Sequence, residues 1–179
     1  MTQREPILRW LLRLWRHLWQ SEHAAWHAVP DDMAARLVAR VRASEQRHSG
    51  QIRVCVEAAL PLSYAWRAGR QAPLPTVVRQ RAMAWFGRLQ VWDTELNNGV
   101  LIYLLLAERR IEIVADRGLM RHTTEAHWLN VVHGLRQQLQ QGDVETGLTQ
   151  ALEEVSALLF AHFASADHPN ELPDLIVRA

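Results

Sequence analysis

Five side chains that carry oxygen ligands flank a glycine turn and the pair of short apolar runs that follows it. Carboxylate and amide oxygens of this kind are the ligands that hard cations such as Ca²⁺ and Mg²⁺ prefer. If Ala107 pairs with Arg110 in an antiparallel hairpin, the register brings the last of the five back beside the turn. The pattern therefore predicts a candidate cation site at one edge of a sheet. Its members are Asp93, Glu95, Asn97, Asn98 and Asp116.

Two other interpretations of these residues stay open. Asn or Asp before Gly is ordinary turn chemistry, and Asp116 can form a structural ion pair with Arg117. A catalytic interpretation makes Asp116 the base or nucleophile of a phosphatase, with Arg117 and Arg121 as an anion clamp. The sequence has neither the spacing of an EF-hand calcium loop nor a glycine-rich phosphate loop or a dinucleotide fingerprint.

Histidine and cysteine give weaker signals for metal or nucleophile chemistry. His23 and His27 are four positions apart on a predicted helix, so both can face one metal ion. The residues between them lack the glutamate of a metalloprotease motif, which favours a packed or solvated pair. The single cysteine, Cys55, excludes an internal disulfide, and its place in mid-strand predicts a buried, inert thiol. Three further histidines have no spacing typical of metal ligands: His122, His127 and His133.

Helices and strands in the order α-α-β-α-β-β-α-α must position these residues. Residues 52–57 alternate as in a strand, 100–107 are apolar throughout as in a strand covered on both faces, and 110–115 complete a hairpin. Helices are predicted over residues 7–26, 32–48, 76–89, 123–141 and 143–163, with a loop over 61–75. This order predicts an α/β fold, a three-layer α/β/α sandwich with a small mixed β-sheet, plus an N-terminal amphipathic helix.

The N-terminal helix separates its apolar and basic residues cleanly. At about 100° per residue, the apolar side chains fill an arc of about 200° and the arginines fill the opposite arc. Tryptophan favours the membrane interface and arginine meets anionic headgroups, so an in-plane helix on a membrane surface is one interpretation. Docking on the domain, dimerisation and a protein partner are the others. The predicted contact residues are Trp10, Leu11, Leu14, Trp15, Leu18 and Trp19.

Composition and charge narrow the class of protein. The chain has 179 residues, 49% of them apolar and 22% charged, which is ordinary for one globular domain. Its 20 basic residues, all arginine, offset 19 acidic ones to leave a net charge of +1, and no charge run resembles a nucleic-acid-binding arm. Arginines break the N-terminal apolar segment, so neither a secretory signal nor a membrane span is predicted. We expect a cytoplasmic protein that binds no nucleic acid.

Residues 32–165 resemble the TPM domain family, the thylakoid-lumen and photosystem-repair phosphatase-like proteins and their bacterial relatives. The segments that carry the resemblance are SGQIR (49–53), NGVLI (98–102), RIEIVADRG (110–118) and GDVETGL (142–148). Two more segments are similar to a proteobacterial branch of small proteins, VWDT (91–94) and NELPD (170–174). The resemblance implies an α/β/α fold with a mixed sheet. It also implies one of two roles: some members are described as acid phosphatases or binders of divalent cations, and others as non-catalytic modules tied to membranes or to the assembly of membrane complexes.

The sequence departs from the family pattern at three places. Asn97 stands where the family has an aspartate before Asn-Gly, so one acidic ligand position has lost its charge. The run DRGLM (116–120) replaces a Gly-aromatic-Gly-Leu-Glu run, and Glu125 stands where a Thr-Asp pair would end. These departures argue against phosphatase activity.

The sequence as a whole predicts three segments: an amphipathic helix over residues 1–29, a TPM-like domain over 32–165 and a loosely ordered tail over 166–179. The predicted function is a non-catalytic binding or scaffold module that its N-terminal helix tethers to a membrane surface or a protein partner, with a homodimer as a further outcome. The alternative is a divalent-cation-dependent acid phosphatase that uses Ca²⁺ or Mg²⁺ and Asp116. A membrane-tethered form would be cytoplasmic and peripheral on the inner membrane.

Overall fold

The computed structural model describes residues 6–20, 23–124, 128, 132, 143–165 and 168–179. Its α-helices are α1 (Ile7–Trp19), α2 (His23–Ala28), α3 (Asp31–Glu45), α4 (Leu62–Arg67), α5 (Leu74–Arg88), α6 (Arg117–Met120) and α7 (Val144–Phe163). Its strands are β1 (Ile52–Glu57), β2 (Val100–Leu105), β3 (Arg110–Ala115) and β4 (Ile176–Arg178).

The four strands form one mixed sheet in the order β3-β2-β1-β4. β1 pairs in parallel with both β2 and β4, whereas β2 pairs antiparallel with β3. Successive side chains of β1 and β2 point to opposite faces, and every residue of both strands is buried. The prediction that the apolar run after Gly99 is a strand covered on both faces is therefore confirmed over Val100–Leu105.

Helices cover both faces of this sheet. On one face, Val54 belongs to a core that includes Leu37 of α3 and Leu148 of α7. On the other face, Tyr103 belongs to a second core that includes Val78 of α5. The fold is thus the predicted α/β/α sandwich with a small mixed sheet.

The first half of the chain differs from the predicted helices at two points. The single helix predicted over residues 7–26 is two helices, because α1 ends at Trp19 and α2 begins at His23. The predicted loop over 61–75 contains α4, whose first backbone hydrogen bonds are accepted by the carbonyl oxygen of Pro61. Proline at a helix start costs no hydrogen bond, so the prolines there begin helices instead of marking loops.

In the second half, α6 (Arg117–Met120) is a helix that the sequence did not predict, whereas the last helix agrees with its prediction. Asp143 caps α7 by accepting from the Thr146 N–H at 2.9 Å, as its position before the last helix predicts. Of the helix predicted over 123–141, the structure describes Thr123 and Thr124, which are not helical, and Trp128 and Val132, which are.

The predicted hairpin register is wrong by two residues. Leu105, not Ala107, pairs with Arg110, because a 3₁₀ turn follows β2 before the chain reverses. Asp116 nevertheless lies beside the turn at Gly99, as predicted, because its N–H donates to the Gly99 carbonyl oxygen at 2.9 Å. The end of β3 therefore returns to the turn that enters β2.

The C-terminal segment corrects the prediction of a loosely ordered tail over 166–179. Within its described part, 168–179, the chain forms β4, which pairs with β1. Leu172 is buried in the second core, and Gln51 Oε1 accepts from the N–H groups of Glu171 and Leu172 at 3.1 and 3.0 Å. The open edge of β1 offers unpaired backbone groups, and pairing with β4 satisfies them.

Candidate functional site

Hydrogen bonds join the turn that enters β2 to the loop before it and to the segment that follows β3. Asn97 has a left-handed φ of 52°, a conformation that asparagine tolerates better than most residues. The Asn98 N–H donates to Thr94 Oγ1 at 3.1 Å, and the Gly118 N–H donates to the Asn97 carbonyl oxygen at 2.8 Å. These contacts fix the turn against the start of α6, which Asp116 caps.

Two buried oxygens at this edge have no hydrogen-bond partner among the described residues. Asn98 is fully buried and donates through Nδ2 to Ser49 Oγ at 3.1 Å, which leaves its Oδ1 without a donor. Asp116 accepts from the Arg117 N–H through Oδ1 at 2.7 Å, and its buried Oδ2 has no donor. Because a buried acceptor without a partner costs roughly 1–3 kcal/mol, such atoms call for a cation or an ordered water.

The other predicted ligands point elsewhere. Asp93, Glu95 and Asn97 are exposed, and the Glu95 N–H donates to the Glu171 carboxylate at 2.9 Å. The predicted anion clamp is exposed as well, at Arg117 and Arg121. In the part of the chain that the structure describes, no group of three or more His, Cys, Asp or Glu side chains is arranged to hold a metal ion. Of the five predicted ligands, one amide and one carboxylate are therefore buried at this end of the sheet, and the other three are exposed.

The histidines form no metal centre in the described part of the chain. His23 and His27 are both exposed on α2. His122 stacks on His162, with ring centroids 4.7 Å apart. Two of the predicted candidates lie outside the described residues, His127 and His133.

A second candidate surface is formed by α1, whose basic side packs on the domain. The Glu108 carboxylate, 7% exposed, contacts Arg16 at 2.5 Å, His17 Nε2 at 3.0 Å and Arg13 at 3.3 Å. His17 is buried, and its Nδ1 accepts from the Leu60 N–H at 3.1 Å, so Nε2 is the nitrogen that donates to Glu108. Burial alone would raise the pKa of Glu108, but the bonds from His17 and Arg16 outweigh it and hold this pKa below its ordinary value.

The other side of α1 is apolar and exposed. Two predicted contact residues are corrected, because Trp10 is buried with its Nε1 donating to the Trp66 carbonyl oxygen at 3.1 Å, and Leu14 is half-buried. Both belong to the docked side. No helix in the described part of the chain is long and apolar enough to cross a membrane. Seven outward side chains are 48% or more exposed: Ile7, Leu8, Leu11, Leu12, Trp15, Leu18 and Trp19.

A buried charge network at the end of β1 escaped the sequence analysis. The Glu57 carboxylate, in a residue 4% exposed, accepts from Arg81 Nε at 3.0 Å and from the Tyr103 hydroxyl at 2.5 Å. Burial and the nearby Glu57 raise the pKa of Tyr103, so the phenol stays neutral. The sequence offers one signal for it: Glu57 ends a predicted strand of the same sheet as the wholly apolar run, and a carboxylate that is buried there needs hydrogen-bond partners.

Two more titratable groups are buried where α3 meets β1. Burial raises the pKa of Glu45 to about 8, so this carboxyl group is protonated at neutral pH. Its Oε1 accepts from the Ile52 N–H at 2.8 Å. Burial lowers the pKa of His48 to about 4, which keeps the imidazole neutral beside the Gly50 carbonyl oxygen. Both groups form structural hydrogen bonds within the domain, and neither lies at one of the two candidate surfaces.

Comparison with known proteins identifies the family. Residues 27–158 match the TPM domain. The NMR structure of the BA42 protein from the psychrophilic bacterium Bizionia argentinensis is similar with a TM-score of 0.70 and 26% sequence identity, over 84% of this chain and 95% of that one. No curated protein matches the chain. Because the family match spans well over half of the chain, the chain belongs to the TPM domain family.

Proposed function

We propose that the protein is a non-catalytic TPM module that α1 holds on a membrane surface. The observation that carries the proposal is the orientation of α1. Three basic side chains bind Glu108 of the domain, and the apolar side faces away from it. A helix held by its polar side keeps its apolar side available, while the domain stays on the aqueous side of the contact.

The charges on α1 favour a lipid surface over a second copy of the chain. The helix contains no acidic residue, and Arg9 and Arg16 are exposed at the margin of its apolar side. A second copy packed through the same side would bring no acidic partner for Arg9 from its own α1, whereas anionic headgroups would neutralise Arg9 and lie beside Arg16, which is already paired with Glu108. Trp15 and Trp19, 59% and 74% exposed, are of the residue type that is enriched at membrane interfaces.

The apolar side is large enough for reversible attachment. A leucine or tryptophan side chain that moves fully from water into an apolar medium contributes roughly 1.5–3 kcal/mol. Six exposed leucine or tryptophan side chains and the isoleucine Ile7 lie on one helix of 13 residues. Peripheral attachment through one in-plane helix is the mode of binding that such a face supports.

We expect Trp15→Glu to abolish flotation of the protein with phospholipid vesicles. The new carboxylate would lie within the apolar side and would have to enter the interface, which is unfavourable for a charged group. The substitution touches none of the contacts with Glu108, so far-UV circular dichroism and the thermal midpoint should match those of the wild type.

Trp92→Glu is the matched control. Trp92 is 50% exposed, and it precedes β2 while Glu108 follows it, so the two lie at opposite ends of that strand. This variant should float like the wild type. The proposal fails if the wild type does not float, or if Trp15→Glu floats equally well. A dimer in solution that Trp15→Glu dissociates would assign the apolar side to a second copy instead.

A divalent-cation-dependent acid phosphatase is the second candidate function, and the two orphaned oxygens favour it. Asn98 Oδ1 and Asp116 Oδ2 are hard ligands in fixed, buried positions, which suits Ca²⁺ or Mg²⁺. A cation held there would polarise a phosphoryl oxygen. The guanidinium groups of Arg117 and Arg121, four positions apart at α6, would bind the remaining phosphate charge. The uncharged Asn97 in the ligand turn makes this the second candidate and not the first.

We expect Asp116→Asn to abolish any binding of Ca²⁺ or Mg²⁺ measured by isothermal titration calorimetry. Asparagine also caps helices, so α6 keeps its cap while the site loses one carboxylate charge. Asp143→Asn makes the same change at the cap of α7 and serves as the control. Saturable heat in the wild type and in Asp143→Asn, lost in Asp116→Asn, supports the site and justifies phosphatase assays. Absence of saturable binding at millimolar cation would reject it.

A further inference from the structure

A cavity of about 550 Å³ lies at the carboxyl ends of β1 and β4, beside α1. β1 is the strand at which the order of the sheet reverses, because the chain leaves it through α4 and α5 to β2, while β4 pairs with its other edge after α7. In open α/β sheets, ligands bind in the crevice at the carboxyl ends of strands around such a point. Asn98 precedes β2, which is parallel to β1, so the cavity and Asn98 lie at opposite ends of these strands.

Three arginines line the cavity: Arg81, Arg88 and Arg178. Arg81 is paired with Glu57, and Arg178 contacts Asp31 at 2.7 Å. The guanidinium group of Arg88 lies over the Trp85 ring, 4.9 Å from its centroid, and within the described residues it has no ion pair or hydrogen bond. Glu57 also lines the cavity but is paired with Arg81, so Arg88 is the arginine of the wall that no carboxylate pairs with in the described part of the chain, which suits an anionic ligand.

The cavity adjoins the apolar side of α1. Leu18 of α1 and Leu62 after β1 both line it, and they are 61% and 55% exposed. Trp66 of α4 packs edge-on against Trp10 at 4.6 Å and is also exposed. A ligand that fits this arrangement has an apolar part for the two leucines and an anionic part for Arg88. A phospholipid has both parts, and a free anion has only one.

We propose that this cavity binds the headgroup of an anionic phospholipid, and that the guanidinium group of Arg88 binds its phosphate. The inference rests on the proposed attachment of α1 to a membrane. It adds that anionic phospholipids of this membrane are the ligand of the cavity. A guanidinium group donates two parallel hydrogen bonds to phosphate oxygens, and its position over Trp85 holds it ready for them. Arg81 and Arg178 keep their carboxylate partners and form the walls.

The test compares binding of the full chain to vesicles of phosphatidylcholine and to vesicles that also contain phosphatidylglycerol. We expect the wild type to prefer phosphatidylglycerol, and Arg88→Gln to lose about fivefold in affinity for those vesicles, the effect of one arginine at an anionic surface. Its affinity for phosphatidylcholine should fall by less, because the choline cation offsets the charge of the phosphate to which Arg88 donates. Arg40→Gln removes an equal charge from α3, where Arg40 is 52% exposed on the other face of the sheet, and should bind like the wild type.

The outcomes separate this inference from the proposed attachment. Unchanged preference for phosphatidylglycerol in Arg88→Gln, or no such preference in the wild type, overturns the headgroup site and leaves the attachment standing. No binding of the wild type to either vesicle rejects the attachment and the headgroup site together. Inorganic phosphate without vesicles tests a soluble ligand through the NMR signal of the Arg88 Nε–H. Saturation at micromolar phosphate would assign the cavity to a free anion, whereas we expect none below the millimolar range.

Discussion

Glu57→Ala is expected to lower the free energy of unfolding by about 3–5 kcal/mol. The Glu57 carboxylate is buried and accepts from both Arg81 and Tyr103. Its removal leaves a guanidinium group with 16% of the side chain exposed and no carboxylate partner, together with a buried hydroxyl that has lost its acceptor. Truncation of one partner is costly because the desolvation of the other is no longer compensated.

Urea denaturation followed by circular dichroism measures this loss, and Glu145→Ala is the matched control. Glu145 also accepts two bonds from one arginine, Arg36, at 2.7 and 2.8 Å, but the Arg36 side chain is 50% exposed. Water can replace the lost partner there, so the midpoint should move far less. Equal losses in the two variants would show that pairing geometry, and not burial, sets the effect.

The sheet is the part of the fold that local sequence patterns predict best. β1, β2 and β3 begin at the residues that alternation and continuous apolar runs indicate, because burial on one or two faces dictates those patterns. β4 has three residues and no pattern of its own, and its pairing depends on the open edge of β1. Such a strand follows from tertiary context and cannot be predicted from its own residues.

The neighbourhood of Asp116 was predictable even though the hairpin register was wrong. A shift of two residues keeps every side chain on its face of the sheet, and the chain still returns to the same turn. The orphaned oxygens were not predictable, because they depend on donors from distant segments. The side-chain amide nitrogen of Asn98 donates to Ser49 Oγ, and this hydrogen bond joins residues 49 positions apart.

The orientation of α1 contradicts the ordinary rule that a helix turns its apolar face to its own domain. The rule would bury Trp15 and Trp19, which are the more exposed tryptophans of the helix. The acceptor that reverses the orientation is Glu108, about ninety positions away and inconspicuous in a hairpin turn. Because Arg16 and His17 compensate the desolvated carboxylate, the helix docks through the margin of its apolar side, where Trp10 and Leu14 lie beside the basic residues, and amphipathicity alone could not show it.

Gly99→Ala is expected to cost at least about 3 kcal/mol, the upper range for an overpacked site. A Cβ atom on Gly99 would overlap the carbonyl oxygen of Val91, a backbone atom that no change of rotamer can move. Gly87→Ala is the contrasting variant. A Cβ atom there meets nothing within 4 Å inside α5, so the substitution should stabilise the protein by about 0.5–1 kcal/mol through lower backbone entropy of the unfolded chain.

The two glycine variants also test how the turn supports the candidate cation site. The Gly99 carbonyl oxygen accepts from the Asp116 N–H, so any backbone shift that relieves the overlap moves the carboxylate as well. Cation binding that depends on Asp116 should therefore weaken in Gly99→Ala and persist in Gly87→Ala, as measured by the same calorimetric titration. A Gly99→Ala protein with wild-type stability would mean that the loop at Val91 yields easily, and the buried oxygens beside it would then have no fixed positions from which to hold a cation.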